Sequence, residues 1–151
     1  MNNAKEYLQQ IRMLDKRIKY IEEEIETLRA EQISLNAIRL DGMPHSRVPG
    51  DPTGSKAIEL PDNLAAMETN LMKTRSAYWS KRNEIIEVIG KVTDPELNEL
   101  LYLRYVKLLP FEGIAYNMSY SYRHTLRLHG KALLEVSAVL DELSLHVTLD
   151  V

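Results

Sequence analysis

The chain has 151 residues, the length of one domain or of two small modules joined by a linker. Lys and Arg total 19 against 22 Asp and Glu, a net charge of −3 that excludes a histone-like or ribosomal coat of positive charge. Cysteine is absent, which removes disulfide scaffolds, thiolate zinc sites and cysteine nucleophiles together.

No apolar run reaches the roughly 18 residues that a membrane span needs. The opening residues, Met1-Asn2-Asn3-Ala4-Lys5-Glu6, carry no signal-peptide apolar core. The expectation is a cytoplasmic protein with no membrane partner. One Phe and one Trp against eight Tyr point to thin helical cores of Leu, Ile and Met edged by Tyr.

From Ala4 to Leu40 there is neither Pro nor Gly. Apolar residues recur every seven positions in two interleaved series: Ala4, Ile11, Ile18, Ile25 and then Gln32; and Tyr7, Leu14, Ile21, Leu28 and Leu35. That is a coiled-coil seam, which cannot bury its stripe against itself and needs a partner helix. Gln32 is a polar break of the kind that fixes register.

A Gly- and Pro-rich stretch follows, and residues 41–60 are expected to form an interhelical loop. Helical pattern resumes after Leu60-Pro61-Asp62, with Leu64, Leu71, Tyr78 and Ile85 again seven apart. Met67, Val88 and Ile89 extend this face, while Thr74 and Lys81 weaken it. Residues 1–92 are therefore expected to form an antiparallel helical hairpin that pairs with a copy of itself, a dimer being favoured.

Residues 93–143 read as a second, all-α module. Asp94 and Pro95 are a helix cap and first helical residue, and Leu97, Leu100, Leu101, Leu103 and Tyr105 carry that helix to about Lys107. Pro110 opens a short helix through Met118, Ser119-Tyr120 turn the chain, and Ser121 can cap a last helix to about Leu143. In the tail, 144–151, Leu145, Val147, Leu149 and Val151 alternate with His146, Thr148 and Asp150, which predicts a short strand.

A long helix, a short helix, a three-residue turn and a further helix are the layout of a helix-turn-helix, whose last helix enters the major groove of DNA. Thr125, Leu128, Ala132 and Val136 would form its apolar face, with Tyr122, Arg123, His124, Arg127 and Lys131 outward. No Asp or Glu occurs between Ile114 and Leu134, and Arg123, Arg127 and Lys131 stand four apart. In an acidic chain, this local absence of negative charge is what phosphate contact requires. A solvated face on an ordinary bundle has the same pattern, so the residues alone leave both readings open. The candidate DNA-binding set is Ser121, Tyr122, Arg123, His124, Arg127 and Lys131. Tyr120, the turn residue, is expected in the core.

At these residues the segment Ile114-Ala-Tyr-Asn-Met-Ser-Tyr-Ser-Tyr-Arg-His-Thr-Leu-Arg-Leu-His-Gly-Lys-Ala-Leu133 resembles the region-four helix-turn-helix of bacterial sigma factors. Leu101-Tyr-Leu-Arg-Tyr105 is similar to that domain's upstream helix. The whole arrangement, with Met43-Pro44-His45 and Asp51-Pro52-Thr53-Gly54 between the long helices, resembles phage and prophage regulators of the RinA and ArpU type. The resemblance implies a sequence-specific, double-stranded-DNA-binding activator of phage late genes for packaging, morphogenesis or lysis. It leaves direct contact with host RNA polymerase open, and it assigns no role to the tail.

The competing reading is a helical adaptor or assembly protein without DNA binding. No enzymatic chemistry is expected. His45, His124, His129 and His146 are not spaced to clamp a metal, so neither a metal nor a cofactor is expected.

Overall fold

The structure is a computed structural model that describes the backbone of residues 2–40 and 52–149, and side chains within 3–38 and 62–145. The described chain is all-helical. It contains α1 (Asn2–Leu8), α2 (Gln10–Leu40), α3 (Pro52–Gly90), α4 (Pro95–Leu101), α5 (Phe111–Met118) and α6 (Tyr122–Leu149). Hydrogen bonds from Gln9 N to Lys5 O and from Met13 N to Gln9 O carry α1 into α2 without a turn. Among the described residues, no helix is long and apolar enough to cross a membrane.

Two compact units result: Met1–Leu14 with Ala77–Val151, and Asp15–Ser76. In the second unit, Ile21, Ile25 and Thr74 are buried, while Ile18, Leu28, Gln32 and Leu35 in α2 and Leu64, Met67 and Leu71 in α3 are half-buried. These are the heptad positions, so the periodicity selects the face that packs. Thr74 is the most buried of the α3 set; its hydroxyl donates to the Asn70 carbonyl at 2.8 Å, which offsets the cost of burying it. The two helices are also joined by Arg75–Glu22 at 2.6 Å and Arg29–Glu68 at 2.8 Å. Both pairs are well exposed, and each contributes at most about 1 kcal/mol.

The first unit holds the main core. Leu8 and Ile11, Ile85, Leu100 and Leu101, Ile114, Thr125 and Val136 are fully buried, drawn from every helix that reaches this unit. Each large aliphatic side chain so buried contributes roughly 1.5–3 kcal/mol before entropic costs. Ala4, Leu8 and Ile11 share this core with Val88, Val92, Leu97 and Val136. The division expected between residues 92 and 93 therefore does not coincide with the units: the core runs through Val92. Tyr7 reaches from α1 to α3, donating to Glu84 Oε1 at 2.6 Å, and Lys81 pairs with Glu84 Oε2 at 2.8 Å. Burial, then that hydrogen bond, raises the Tyr7 hydroxyl above its ordinary pKa, and the bonds from Lys81 and Tyr7 lower that of Glu84.

Three local expectations need correction. The tail is helical through Leu149, with no strand among the described residues; Asp150 and Val151 lie outside them. A lone strand would leave its backbone unpaired, whereas a helix satisfies each group within the segment and propagates cheaply from a nucleus held in the core. The interhelical loop is shorter than 41–60, because α3 starts at Pro52; residues 41–51 lie outside the described residues. Leu60-Pro61-Asp62, after which the helical pattern was expected to resume, lies inside α3, and Pro52 is its first residue. Finally, the helix to Lys107 is not uniform. After α4 the chain widens into one π turn over Tyr102–Val106, closed by Lys107 N to Tyr102 O at 3.0 Å.

Candidate nucleic-acid interface

The termini of the last three helices are built by local chemistry. Asp94 Oδ1 accepts from Glu96 N at 2.9 Å and caps α4, with Pro95 following as expected. At the end of α5, Ser119 takes the left-handed conformation, φ 57°. Its N–H reaches Tyr116 O at 3.3 Å, and Tyr120 N reaches Ala115 O at 2.9 Å. These crossed bonds are a Schellman motif, which satisfies the last carbonyls of α5 and reverses the chain. Ser121 then caps α6: its Oγ accepts from His124 N at 3.2 Å, and its carbonyl accepts from Thr125 N at 3.0 Å.

Burial along α6 follows the expected faces. Thr125, Leu128, Ala132 and Val136 are buried; Ser121, Tyr122, Arg123, His124, Arg127 and Lys131 are all exposed. The Thr125 hydroxyl, fully buried, donates to Ser121 O at 3.0 Å. Arg123, Arg127 and Lys131 fall within one stripe at helical spacing. His124 meets the Tyr120 ring edge-on, centroids 4.7 Å apart. Tyr120 packs against the core, and its hydroxyl donates to the Glu96 carboxylate. The site residues are thus gathered on the first turns of one helix, and their backs are locked to the core.

Two features behind this helix were not legible from the residues alone. The Tyr105 hydroxyl lies 2.7 Å from His129 Nε2, and Phe111 meets the His129 ring edge-on at 4.9 Å. Burial, then the charges of Arg104 and Lys5, pulls His129 down to about 4. Arg104 stacks over Phe111, its guanidinium 4.1 Å from the ring centroid, and donates to Leu109 O at 3.0 Å. It thereby braces a connection in which Leu108, a non-glycine residue, has φ 59°. The signal that could have found these contacts is weak: Arg104 and Tyr105 sit in an apolar helix, and His129 on a flank of the next.

Among the described residues, no three His, Asp or Glu side chains gather as a metal would require. No protein family profile, curated protein or solved structure matches the chain.

Proposed function

We propose that the chain is a sequence-specific regulator that binds double-stranded DNA through a helix-turn-helix formed by α5, the Ser119–Ser121 turn and α6. The observation that carries this reading is the two-sidedness of α6. Thr125, Leu128, Ala132 and Val136 lock its back to the core, while Arg123, Arg127 and Lys131 stand exposed on a stretch without a carboxylate. Such a helix presents cations and hydrogen-bond donors to a groove at its N-terminal end, where base edges are read. Transcriptional activation of phage late genes is the biological setting that the resemblance to RinA- and ArpU-type regulators suggests. In this reading the long helices α2 and α3 form an antiparallel hairpin that joins two copies and sets the spacing of two half-sites.

Selection of bound duplexes from a randomised library tests the proposal. Enrichment of one motif, followed by a footprint over it, supports a sequence-specific reader. A pool that stays random through repeated rounds rejects it. A helical adaptor is the second reading, favoured by the exposed apolar side chains of Ile33 and Met72 in the second unit, 70% and 72% accessible.

A further inference from the structure

The helix α6 changes sign along its length. Arg123, Arg127 and Lys131 occupy its N-terminal half with no carboxylate, and Glu135, Asp141 and Glu142 follow, with no Lys or Arg from there to Leu149. Among the described residues, the ion pairs engage Lys19, Arg29, Arg75 and Lys81, and none engages these six side chains. Between Arg127 and Asp141, both exposed, the outward face is apolar. Leu134 there is 55% accessible, Ala138 is exposed, and a Cβ placed on Gly130 would have nothing within 4 Å.

These residues are arranged symmetrically about Leu134. Arg127 and Asp141 stand seven residues before and after it, about two turns each way, so the three follow one line of the helix. Gly130 and Ala138 stand four before and four after. Such a face is complementary to its own reverse. An antiparallel copy centred on Leu134 sets leucine on leucine, Gly130 opposite Ala138, and Arg127 opposite Asp141 of the second copy. Lys131 then lies beside Glu135 of that copy. The small residues let the two helices approach closely, and one two-fold axis makes every contact twice. A parallel copy would instead set Arg127 against Arg127 and Asp141 against Asp141, which repels. A duplex would answer the cations alone and leave Leu134 beside carboxylates that repel phosphate.

We propose that the outward face of α6 docks the same face of a second copy, antiparallel and centred on Leu134. The pairing takes up Arg127 and Lys131, so on the DNA-binding reading it closes the reading face to DNA; the pairing itself does not depend on that reading. One leucine layer flanked by exposed ion pairs makes a weak contact, expected to form near ~100 µM.

The chain has no cysteine, so a single introduced thiol reports position. In the full chain at that concentration, mild oxidation of Leu134→Cys is expected to give a disulfide-linked dimer. The two central residues would lie within the roughly 7 Å between Cα atoms that a disulfide spans. Ala138→Cys, on the same exposed face, is expected to give about fivefold less, because its two copies would stand about 12 Å apart along the axis. In the Leu134→Cys chain, Arg127→Glu is expected to cut the crosslink roughly tenfold, and Arg127→Glu with Asp141→Arg to restore it, the charges being merely exchanged. Equal crosslinking at the two positions, or a double charge variant no better than the single one, would overturn the pairing. Excess duplex is expected to suppress the Leu134→Cys crosslink. A crosslink unchanged while duplex is bound would overturn the competition alone, and a duplex that does not bind would overturn the DNA-binding reading and leave the pairing standing.

Discussion

The hydroxyl of Tyr105, in the π turn, lies 2.7 Å from Nε2 of His129 on α6. The contact ties the helix that precedes the turn to the helix that carries Arg123, Arg127 and Lys131. With Nε2 unprotonated the ring accepts the hydroxyl proton; with Nε2 protonated the ring donates to the tyrosine oxygen, so the contact reverses direction rather than breaking.

The burial of the His129 ring behind that contact predicts an acid-labile fold. Burial, with Arg104 and Lys5, pulls His129 from 6.5 to about 4, so the unfolded chain binds the extra proton first as pH falls. The stability associated with the neutral ring is present above about 6.5 and is lost progressively down to about 4. Thermal melts of wild type and His129→Gln across this window are expected to converge as pH falls. A constant difference between them would show that His129 does not titrate in the fold.

Ser119 is held at φ 57°, a conformation that glycine adopts without steric cost. Ser119→Gly is expected to stabilise the chain by roughly 0.5–1 kcal/mol, less if the added freedom of the unfolded glycine dominates. Ser119→Val, β-branched in the same conformation, is expected to destabilise it by at least about 1 kcal/mol. Urea unfolding of the two variants measures the difference, and a valine variant as stable as the glycine one would contradict the turn geometry.

On α6, Arg123 and Arg127 are expected to contribute base or phosphate contacts and Lys131 mainly phosphate contact. Arg123→Ala is expected to weaken binding to the selected motif by about 1–3 kcal/mol and to relax the preference at one base pair. Lys131→Ala is expected to weaken binding evenly across sequences. Titration against the selected motif and single-base variants distinguishes the two patterns, and unaltered binding in both variants would remove α6 from the groove.

The second unit buries its seam only in part, and Ile33 and Met72 are largely exposed on it. The full chain is expected to sediment as a dimer at micromolar concentration. Ile33→Glu with Met72→Glu, both on open surface, is expected to shift it to monomer without loss of helix content. A chain that sediments as a monomer from the outset would leave α2 and α3 to pair only with each other.

Periodicity and capping chemistry were sufficient for much of this molecule. The heptad series from Ala4 to Leu35 names the packed face of α1 and α2, and Asp94, Pro95, Pro110 and Ser121 mark real helix starts. The buried and exposed sides of α6 follow from spacing alone, because a helix face is a local property of 3.6-residue geometry. What the residues left undecided depends on contacts distant in the chain. The alternation of Leu145, Val147 and Leu149 suits a strand, yet with no second strand to pair with, the backbone closes its own bonds as helix. The π turn at Tyr102–Val106 has no period of its own to read, since one extra residue in a turn shifts the pattern only after it has occurred. Tyr105, Phe111 and His129 are apart in sequence and become neighbours only because Leu101, Ile114 and Val136 must share one core. Local order was written in spacing; the meeting of the π turn with α6 at Tyr105 and His129 was decided by where that apolar surface could be buried.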